Sequence, residues 1–224
     1  MKKIAMIVTC LLLLCNMALA SPLMDFSQGK GSIDLTWRNA DTNLSGPGYS
    51  QDFAKNYNLE GGLTYGLGNK FAFQFRTFEA KSGDTITTTP LFAPDRANFK
   101  LTTNEYNVLY KLDKNLAAYA GLVTAKGTFA DLTFPGNSGG TNTRNFWQVG
   151  LVGSTEIAKR TTLWANVAAG TDLTNWGVGV SYAFTPSWEL NVDYRDFQAK
   201  NLTIPGGKVD GKAKGVGIGV TYKF

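Results

Sequence analysis

Gly217-Ile218-Gly219-Val220-Thr221-Tyr222-Lys223-Phe224, the last eight residues of the sequence, are the strongest indication of its fold. Aliphatic and aromatic side chains alternate along this stretch with Gly, Thr or Lys. Successive side chains of a β-strand point to opposite faces, so this strand has one apolar face and one small or polar face. The apolar face consists of Val216, Ile218, Val220, Tyr222 and Phe224. The stretch therefore predicts a terminal strand that separates an apolar medium from a polar or crowded one.

The opposite end of the chain has the composition of an export signal. Residues 1–3 form a short basic region because they include Lys2 and Lys3, and residues 4–14 form an almost unbroken apolar run. Ala18 and Ala20 are small residues at the two cleavage-determining positions. This arrangement predicts a secretory signal peptide over residues 1–20 that is cut before Ser21. The alternative is an uncleaved anchor helix, but its apolar core is short for a span of about 20 residues.

Composition limits what the mature chain, residues 21–224, can do. Both cysteines, Cys10 and Cys15, lie inside the predicted signal, which leaves no disulfide, thiolate metal site or catalytic thiol. The chain has no histidine, and 22 Lys+Arg against 17 Asp+Glu is too mild an excess for a nucleic-acid surface. We expect a single domain with no cofactor, no metal and no nucleic-acid partner.

The mature sequence reads as alternating segments of about ten residues, which is typical of membrane barrels. It has no apolar stretch of helix-spanning length, so a membrane protein of this sequence must be a closed barrel, because only helices and closed barrels satisfy every backbone group in lipid. In the seventh segment Trp164 falls on the polar face and leaves the phase open. The ten segments are about 31–39, 57–67, 70–80, 103–112, 116–126, 145–155, 161–170, 175–184, 188–197 and 211–224.

The connectors between these segments favour an up-and-down antiparallel barrel of ten strands. With both termini in the periplasm the strand number must be even, and short turns on one side with longer loops on the other are typical of outer-membrane barrels. The predicted long loops are 40–54, 81–102, 127–143 and 200–210. Merging the Ala-rich fifth segment, or the seventh with the eighth, would leave eight strands as the alternative.

The aromatic residues indicate which face points outward. Alternation alone does not distinguish a membrane barrel from a soluble one, whose apolar face points inward. Aromatic side chains near both ends of the predicted strands match two interfacial girdles, although core aromatics of a soluble barrel are the other interpretation. The girdle residues are Trp37, Tyr65, Phe71, Tyr110, Trp147, Trp176, Tyr182, Phe184, Trp188 and Tyr194.

Acidic and basic residues mix on the polar faces of the same strands. They are Asp34, Arg38, Glu60, Arg76, Glu105, Lys111, Glu189, Asp193 and Arg195. A buried charge is tolerable only if it is paired and hydrogen-bonded. We therefore predict a lumen filled by an ion-pair network, with Val192 facing lipid and Asp193 facing the lumen.

The C-terminal residues also resemble the assembly signal of bacterial outer-membrane β-barrels, which is Gly, two residues, an aromatic, one residue and a terminal aromatic. Gly219, Tyr222 and Phe224 occupy those places, although Gly217 stands where a polar residue is usual. With its export signal, the chain resembles the small outer-membrane barrels: opacity-type proteins, OmpA-like domains and OmpX-like barrels. The resemblance implies a porin-like or structural protein of the cell outer membrane that contacts lipid and lipopolysaccharide and is inserted by the barrel-assembly machinery.

Two functions remain open at this point. The first is a non-catalytic structural or narrow-pore barrel whose interior is filled by inward side chains. The second is an adhesin or receptor that acts through loops 81–102 and 127–143, whose aromatic residues either anchor a ligand or pack over the barrel mouth. Those loops carry Phe92, Phe99, Phe129 and Phe134. The known barrel proteases and lipid A acyl-modifying barrels rely on histidine, so without one we expect no enzyme activity.

Overall fold

The computed structural model describes residues 23–87, 95–133, 138–204 and 207–224. Within these ranges no helix is long and apolar enough to cross a membrane. The regular elements are β1 (Gly31–Gly46), β2 (Tyr49–Gly68), β3 (Phe71–Lys81), β4 (Thr85–Thr87), β5 (Asp95–Asp113), β6 (Leu116–Asp131), β7 (Gly139–Gly140), β8 (Arg144–Ala158), β9 (Thr161–Gly170), β10 (Leu173–Ala183), β11 (Trp188–Ile204) and β12 (Gly207–Lys223).

Ten of these strands form one closed antiparallel barrel. Each barrel strand pairs with the next along the chain, in the order β1, β2, β3, β5, β6, β8, β9, β10, β11 and β12, and β12 pairs with β1 to close the ring. The closing seam runs from Ser32 opposite Lys223 to Ser45 opposite Asp210. The short strands β4 and β7 are additions that pair with β5 and β6. The prediction of ten strands rather than eight is confirmed.

Two of the predicted long loops, 40–54 and 200–210, are wrong, because strands continue through most of them, whereas 81–102 and 127–143 keep long connections that are shorter than predicted. β1 and β2 cover most of 40–54 and meet at a tight turn of Pro47 and Gly48, where Gly48 has a positive φ of 81°. β5 and β6 extend into 81–102 and 127–143, and β11 and β12 take up most of 200–210.

The apolar side chains change sides along each long strand, and this switch explains the error. On β1, Ile33 and Trp37 are exposed, whereas Ala40 and Leu44 further along are buried. Between those two, Asp41 points outward. A one-sided apolar stripe stops at the switch, although the backbone ladder continues beyond it.

The barrel therefore has two zones along its axis. In the membrane zone, nearer the termini, the outer surface is apolar and the lumen is polar. In the far zone the outer surface is polar and the interior is a hydrophobic core. That core comprises Ala40, Leu44, Phe53, Phe78, Ala80, Ala97, Phe99, Leu101, Val123, Ala125, Phe129, Phe146, Leu173, Phe197, Ala199, Leu202, Val209 and Ala213. A continuous apolar belt is stable in contact with lipid and not with water, so the membrane zone spans the bilayer and the far zone resembles a soluble barrel.

Residues 23–30 fold into the mouth of the barrel at the termini end. Met24 and Phe26 are buried there in a cluster with residues that point into the lumen. The backbone N–H of Gly68 donates to the carbonyl of Phe26 at 2.9 Å, and that of Gly66 donates to Lys30 at 2.7 Å. A side chain at Gly66 would collide with the backbone of Phe26 and Ser27. The N-terminal segment thus occupies the mouth of the lumen at this end.

Candidate functional site

Six charged side chains from five strands meet in the lumen of the membrane zone. Arg38 on β1, only 1% exposed, donates from Nη2 to Asp193 Oδ2 at 2.7 Å and from Nε to Glu60 Oε2 at 2.9 Å. Its Nη1 donates to the carbonyl of Gly215 at 2.9 Å. Arg38 therefore connects β1 with β2, β11 and β12 through one planar group, a geometry that only arginine offers.

Arg195 on β11 crosses the lumen. Its two terminal nitrogens pair with Glu60 and Glu105, and its Nε donates to Asn175 Oδ1 at 3.2 Å. The guanidinium carbon also lies 5.4 Å from the ring centre of Phe78 and 5.6 Å from that of Phe197. Such cation–π contacts strengthen when water is excluded, and here they join the network to the core of the far zone.

The carboxylates of the network are fully engaged. Arg76 Nη2 donates to Glu60 Oε1 at 2.9 Å, so Glu60 faces three guanidinium groups. Glu105 also receives the amides of Gln148 and Asn175, each at 3.3 Å. Several partners for each carboxylate offset the large desolvation cost of burying charge. The part of the chain that the structure describes has no group of three or more metal-binding side chains.

Three of the nine predicted lumen residues lie apart from this network. Glu189 pairs instead with Lys223 at 2.5 Å. Asp34 accepts a hydrogen bond from Thr221 Oγ1 at 2.5 Å and forms no ion pair with any described residue. Lys111 lies at the end of β5, where its N–H donates to the carbonyl of Lys70. Lys223 was not among the predicted lumen residues, although alternation along β12 places it on the lumen face.

A cavity of about 80 Å³ lies between the network and the N-terminal segment. Trp164 lines it and donates from its indole Nε1 to Ser181 Oγ at 3.1 Å, so β9 turns this side chain into the lumen. Room for the ring comes from Gly179, where a Cβ would collide with it. Other lining residues are Leu23, Asp34, Arg76, Asn166 and Asn191.

The predicted girdle residues all lie on the outer surface. Tyr194 is half-buried beside Trp176, with ring centres 5.4 Å apart, and the other nine are exposed. Near the termini, Trp188 packs on Tyr222 at 4.9 Å. Phe224 and Gly31 exchange two backbone hydrogen bonds of 3.0 Å and so complete the closing seam. Recognition of Gly219, Tyr222 and Phe224 by an assembly machinery stays a prediction.

Of the two interpretations of the loop aromatics, packing against the barrel rather than anchoring a ligand applies to the two that the structure describes. Phe99 and Phe129 belong to the core of the far zone, and Phe99 stacks on Phe53 with ring centres 5.7 Å apart. Phe99 lies on the same face of β5 as Leu101, and Phe129 on the same face of β6 as Ala125. This period-two spacing was the sequence signal for an inward placement. Phe92 and Phe134 lie outside the described residues.

A second polar cluster joins three connections of the far zone. Arg144 Nη2 donates to Asp172 Oδ2 at 2.7 Å, and Nη1 donates to the carbonyls of Lys200 and Asn201, both at 2.8 Å. The hydrogen bond from the guanidinium lowers the pKa of the Asp172 carboxyl. Arg144 therefore holds the start of β8 against the β9–β10 turn and the outer part of β11.

Comparisons with known proteins agree with this architecture. No curated protein matches the chain. Among solved structures, the outer membrane protease OmpT of Escherichia coli is similar at 12% identity, with 92% of this chain and 100% of that one covered and a TM-score of 0.57. Neisserial surface protein A gives 18% identity, 88% and 100% coverage and a TM-score of 0.46.

The attachment invasion locus protein Ail of Yersinia pestis, solved with the heparin analogue sucrose octasulfate, gives 12% identity, 88% and 99% coverage and a TM-score of 0.44. At these identities the likeness concerns the fold alone. A family model described as outer membrane protein beta-barrel domain matches residues 6–224. Because that match spans nearly the whole chain, the protein belongs to the outer membrane protein β-barrel family and is a protein of the cell outer membrane.

Proposed function

We propose that this protein is a non-catalytic, structural barrel whose lumen is closed to solutes. The observation that carries the proposal is the filling of the lumen at three successive levels. Residues 23–30 occupy the mouth at the termini end, the ion-pair network crosses the middle, and the hydrophobic core fills the far zone. Small barrels whose inward side chains interdigitate in this way leave no open channel.

The far-zone core argues most strongly against a narrow pore. An aqueous path needs polar groups along its whole length, since water and ions lose hydration energy in an apolar constriction. Phe78, Phe99 and Phe197 fill the core with at most 2% of their surface exposed. The remaining cavity near the network has room for about six water molecules.

The state of the carboxylates supports the absence of catalysis. An acid or base must reach the proton that it transfers in a bound substrate. Glu60, Glu105 and Asp193 are instead engaged by guanidinium groups inside a closed lumen. The likeness to OmpT concerns the fold, and a chain without histidine lacks the residue on which most neutral-pH proton transfer relies.

Planar-bilayer recording tests the closed lumen directly. We expect purified, refolded protein to produce no steady conductance under conditions in which a general porin conducts. A triple variant, Leu23→Ser, Met24→Ser and Phe26→Ser, should also remain silent, because the far-zone core closes the other end. Steady, porin-sized currents from the unaltered protein would refute the proposal.

A second candidate function is binding of a surface ligand through the tips of the far zone, in regions 81–102 and 127–143. The supporting observation is Ile86 on the short strand β4, whose side chain is 70% exposed although it lies well outside the membrane zone. Exposed apolar side chains at a tip are suited to anchor a partner. Ile86→Asp should then weaken adhesion of expressing cells to a host-cell monolayer without changing the amount of folded barrel. Unchanged adhesion would remove this candidate.

A further inference from the structure

Two acceptor groups at the cavity beside the ion-pair network have an unfilled interaction: one lacks a hydrogen-bond donor and the other lacks a cation. Asn191 lines it and is only 6% exposed, yet its Oδ1 accepts no hydrogen bond in the described structure. Asp34 also lines the cavity and pairs with no described basic residue. Thr221 links the two, because its Oγ1 accepts from Asn191 Nδ2 at 2.7 Å and donates to Asp34 Oδ1 at 2.5 Å.

The ion pairs around this cavity leave one carboxylate, Asp34, without a salt-bridge partner in the described part of the chain. Among the described residues, five carboxylates and four basic groups face the lumen at this level of the barrel. The carboxylates are Asp34, Glu60, Glu105, Glu189 and Asp193, and the basic groups are Arg38, Arg76, Arg195 and Lys223. Asp34 is half-buried and accepts a hydrogen bond from Thr221, but a carboxylate in the lumen without a cation in direct contact is unfavourable. The cavity therefore attracts one positive charge toward Asp34.

We propose that the cavity binds a primary ammonium group, held by the Asp34 carboxylate and by Asn191 Oδ1. An ammonium group has three N–H donors and no acceptor, which matches one charged and one neutral oxygen acceptor. A multivalent metal ion fits less well, because it would need several oxygen ligands and only one carboxylate here is free of an ion pair. The volume of about 80 Å³ admits the ammonium and a few further heavy atoms.

The ammonium group could come from two sources. If the signal is cut before Ser21, the new α-amino group is separated by Ser21 and Pro22 from Leu23, which itself lines the cavity. Two residues reach at most about 7 Å, so the group can enter the same cavity. The other source is a small soluble amine. Either one would neutralise the lumen, and neither needs a path through the whole barrel, because the cavity lies on the termini side of the far-zone core.

Reductive methylation tests the first source. The folded barrel, purified from outer membranes in detergent, is treated with formaldehyde and a borane reductant, and its N-terminal peptide is analysed by mass spectrometry. We expect the α-amino group to be protected in the folded protein, to react after heat unfolding, and to react at least tenfold faster in folded Asp34→Asn. Glu189→Gln is the matched control, because Glu189 is buried at the same level but already paired with Lys223, and its loss should leave the protection intact.

If the amino terminus reacts freely in the folded protein, a soluble amine is tested. Methylammonium should raise the unfolding temperature of the barrel, tetramethylammonium, which has no N–H donor, should not, and Asp34→Asn should abolish the shift. Asn191→Leu gives the same comparison if Asp34→Asn fails to show the heat-modifiable gel mobility of a folded barrel. A reactive terminus together with no methylammonium-specific shift would overturn the inference and leave a cavity that holds only water.

Discussion

At the residue scale, the lumen shows how a small barrel tolerates buried charge. Arg195 pairs with both Glu60 and Glu105, and its side chain is 3% exposed. Arg195→Met would leave two buried carboxylates short of a cation, so we expect the free energy of unfolding to fall by about 3–5 kcal/mol. Urea titration in lipid vesicles measures the change. Lys55→Met breaks an exposed pair with Asp41 and should cost less than about 1 kcal/mol, so equal losses would contradict this account.

Val192 and Asp193 are neighbours on β11 but lie in different surroundings, so substitutions at the two positions should act differently. Val192 is exposed on the outer belt, whereas Asp193 is buried against Arg38. Val192→Arg places a charge in lipid and should cost about 2–4 kcal/mol if it lies near the bilayer midplane. Gln198→Arg is the matched control, because it also points outward on β11 but beyond the apolar belt, where the cost is about 0–1 kcal/mol. The same urea titration compares the two, and similar values would place the bilayer elsewhere.

At the scale of the elements, the length of the strands predicts resistance to proteolysis. Lys100 and Lys126 are opposite Lys81 and Thr102 in regular ladders, although the sequence alone predicts the first of them in a loop. Proteases need an unpaired, extended backbone, so trypsin should cleave the detergent-solubilised barrel slowly after both lysines. Mass spectrometry of the fragments tests this expectation. Rapid cleavage after Lys100 would show that this region is an accessible loop and not a paired strand.

The closing seam makes β12 sensitive to its last residue. Phe224 makes two backbone hydrogen bonds with Gly31 and stacks on Tyr222 at 6.1 Å between ring centres. Deletion of Phe224 removes the final pairing of the ring and should slow assembly without affecting export, which depends on the N-terminal signal. Pulse–chase labelling with semi-native gels measures the appearance of folded barrel. Phe73→Ala, an outward aromatic away from the seam, should assemble at nearly the normal rate.

At the scale of the whole molecule, the two zones predict how the barrel stands in the membrane. The two longest connections, between β3 and β5 and between β6 and β8, and the water-exposed far zone lie opposite the termini, so we propose periplasmic termini and a far zone outside the cell. The mature sequence contains no cysteine if the signal is removed, so single cysteines can be introduced cleanly. Ser50→Cys should react with a membrane-impermeant maleimide on intact cells, and Asn69→Cys only after lysis. The reverse pattern would invert the orientation.

The membrane zone could be derived from the local sequence pattern. Lipid accepts only apolar side chains, and a strand turns every second residue outward, so period-two alternation places Val192 and Ile218 on one surface without knowledge of any contact. The number of strands followed from the same repeat and from the even parity that antiparallel closure with both termini on one side requires. Trp164 was the exception, since its place inside depends on Gly179 across the neighbouring strand.

The contacts inside the barrel, by contrast, depend on how the ring closes. Whether Arg195 meets Glu105 depends on the closure and stagger of the ring, which bring β11 and β5 together across the lumen, and no local pattern records that distance. The far zone escaped prediction because its surroundings are water, which reverses the apolar face while the strand continues, so Phe99 faces the core instead of a ligand. The cavity that Leu23 and Asp34 both line likewise exists only after the barrel has closed, since its other lining residues come from strands far apart in the chain.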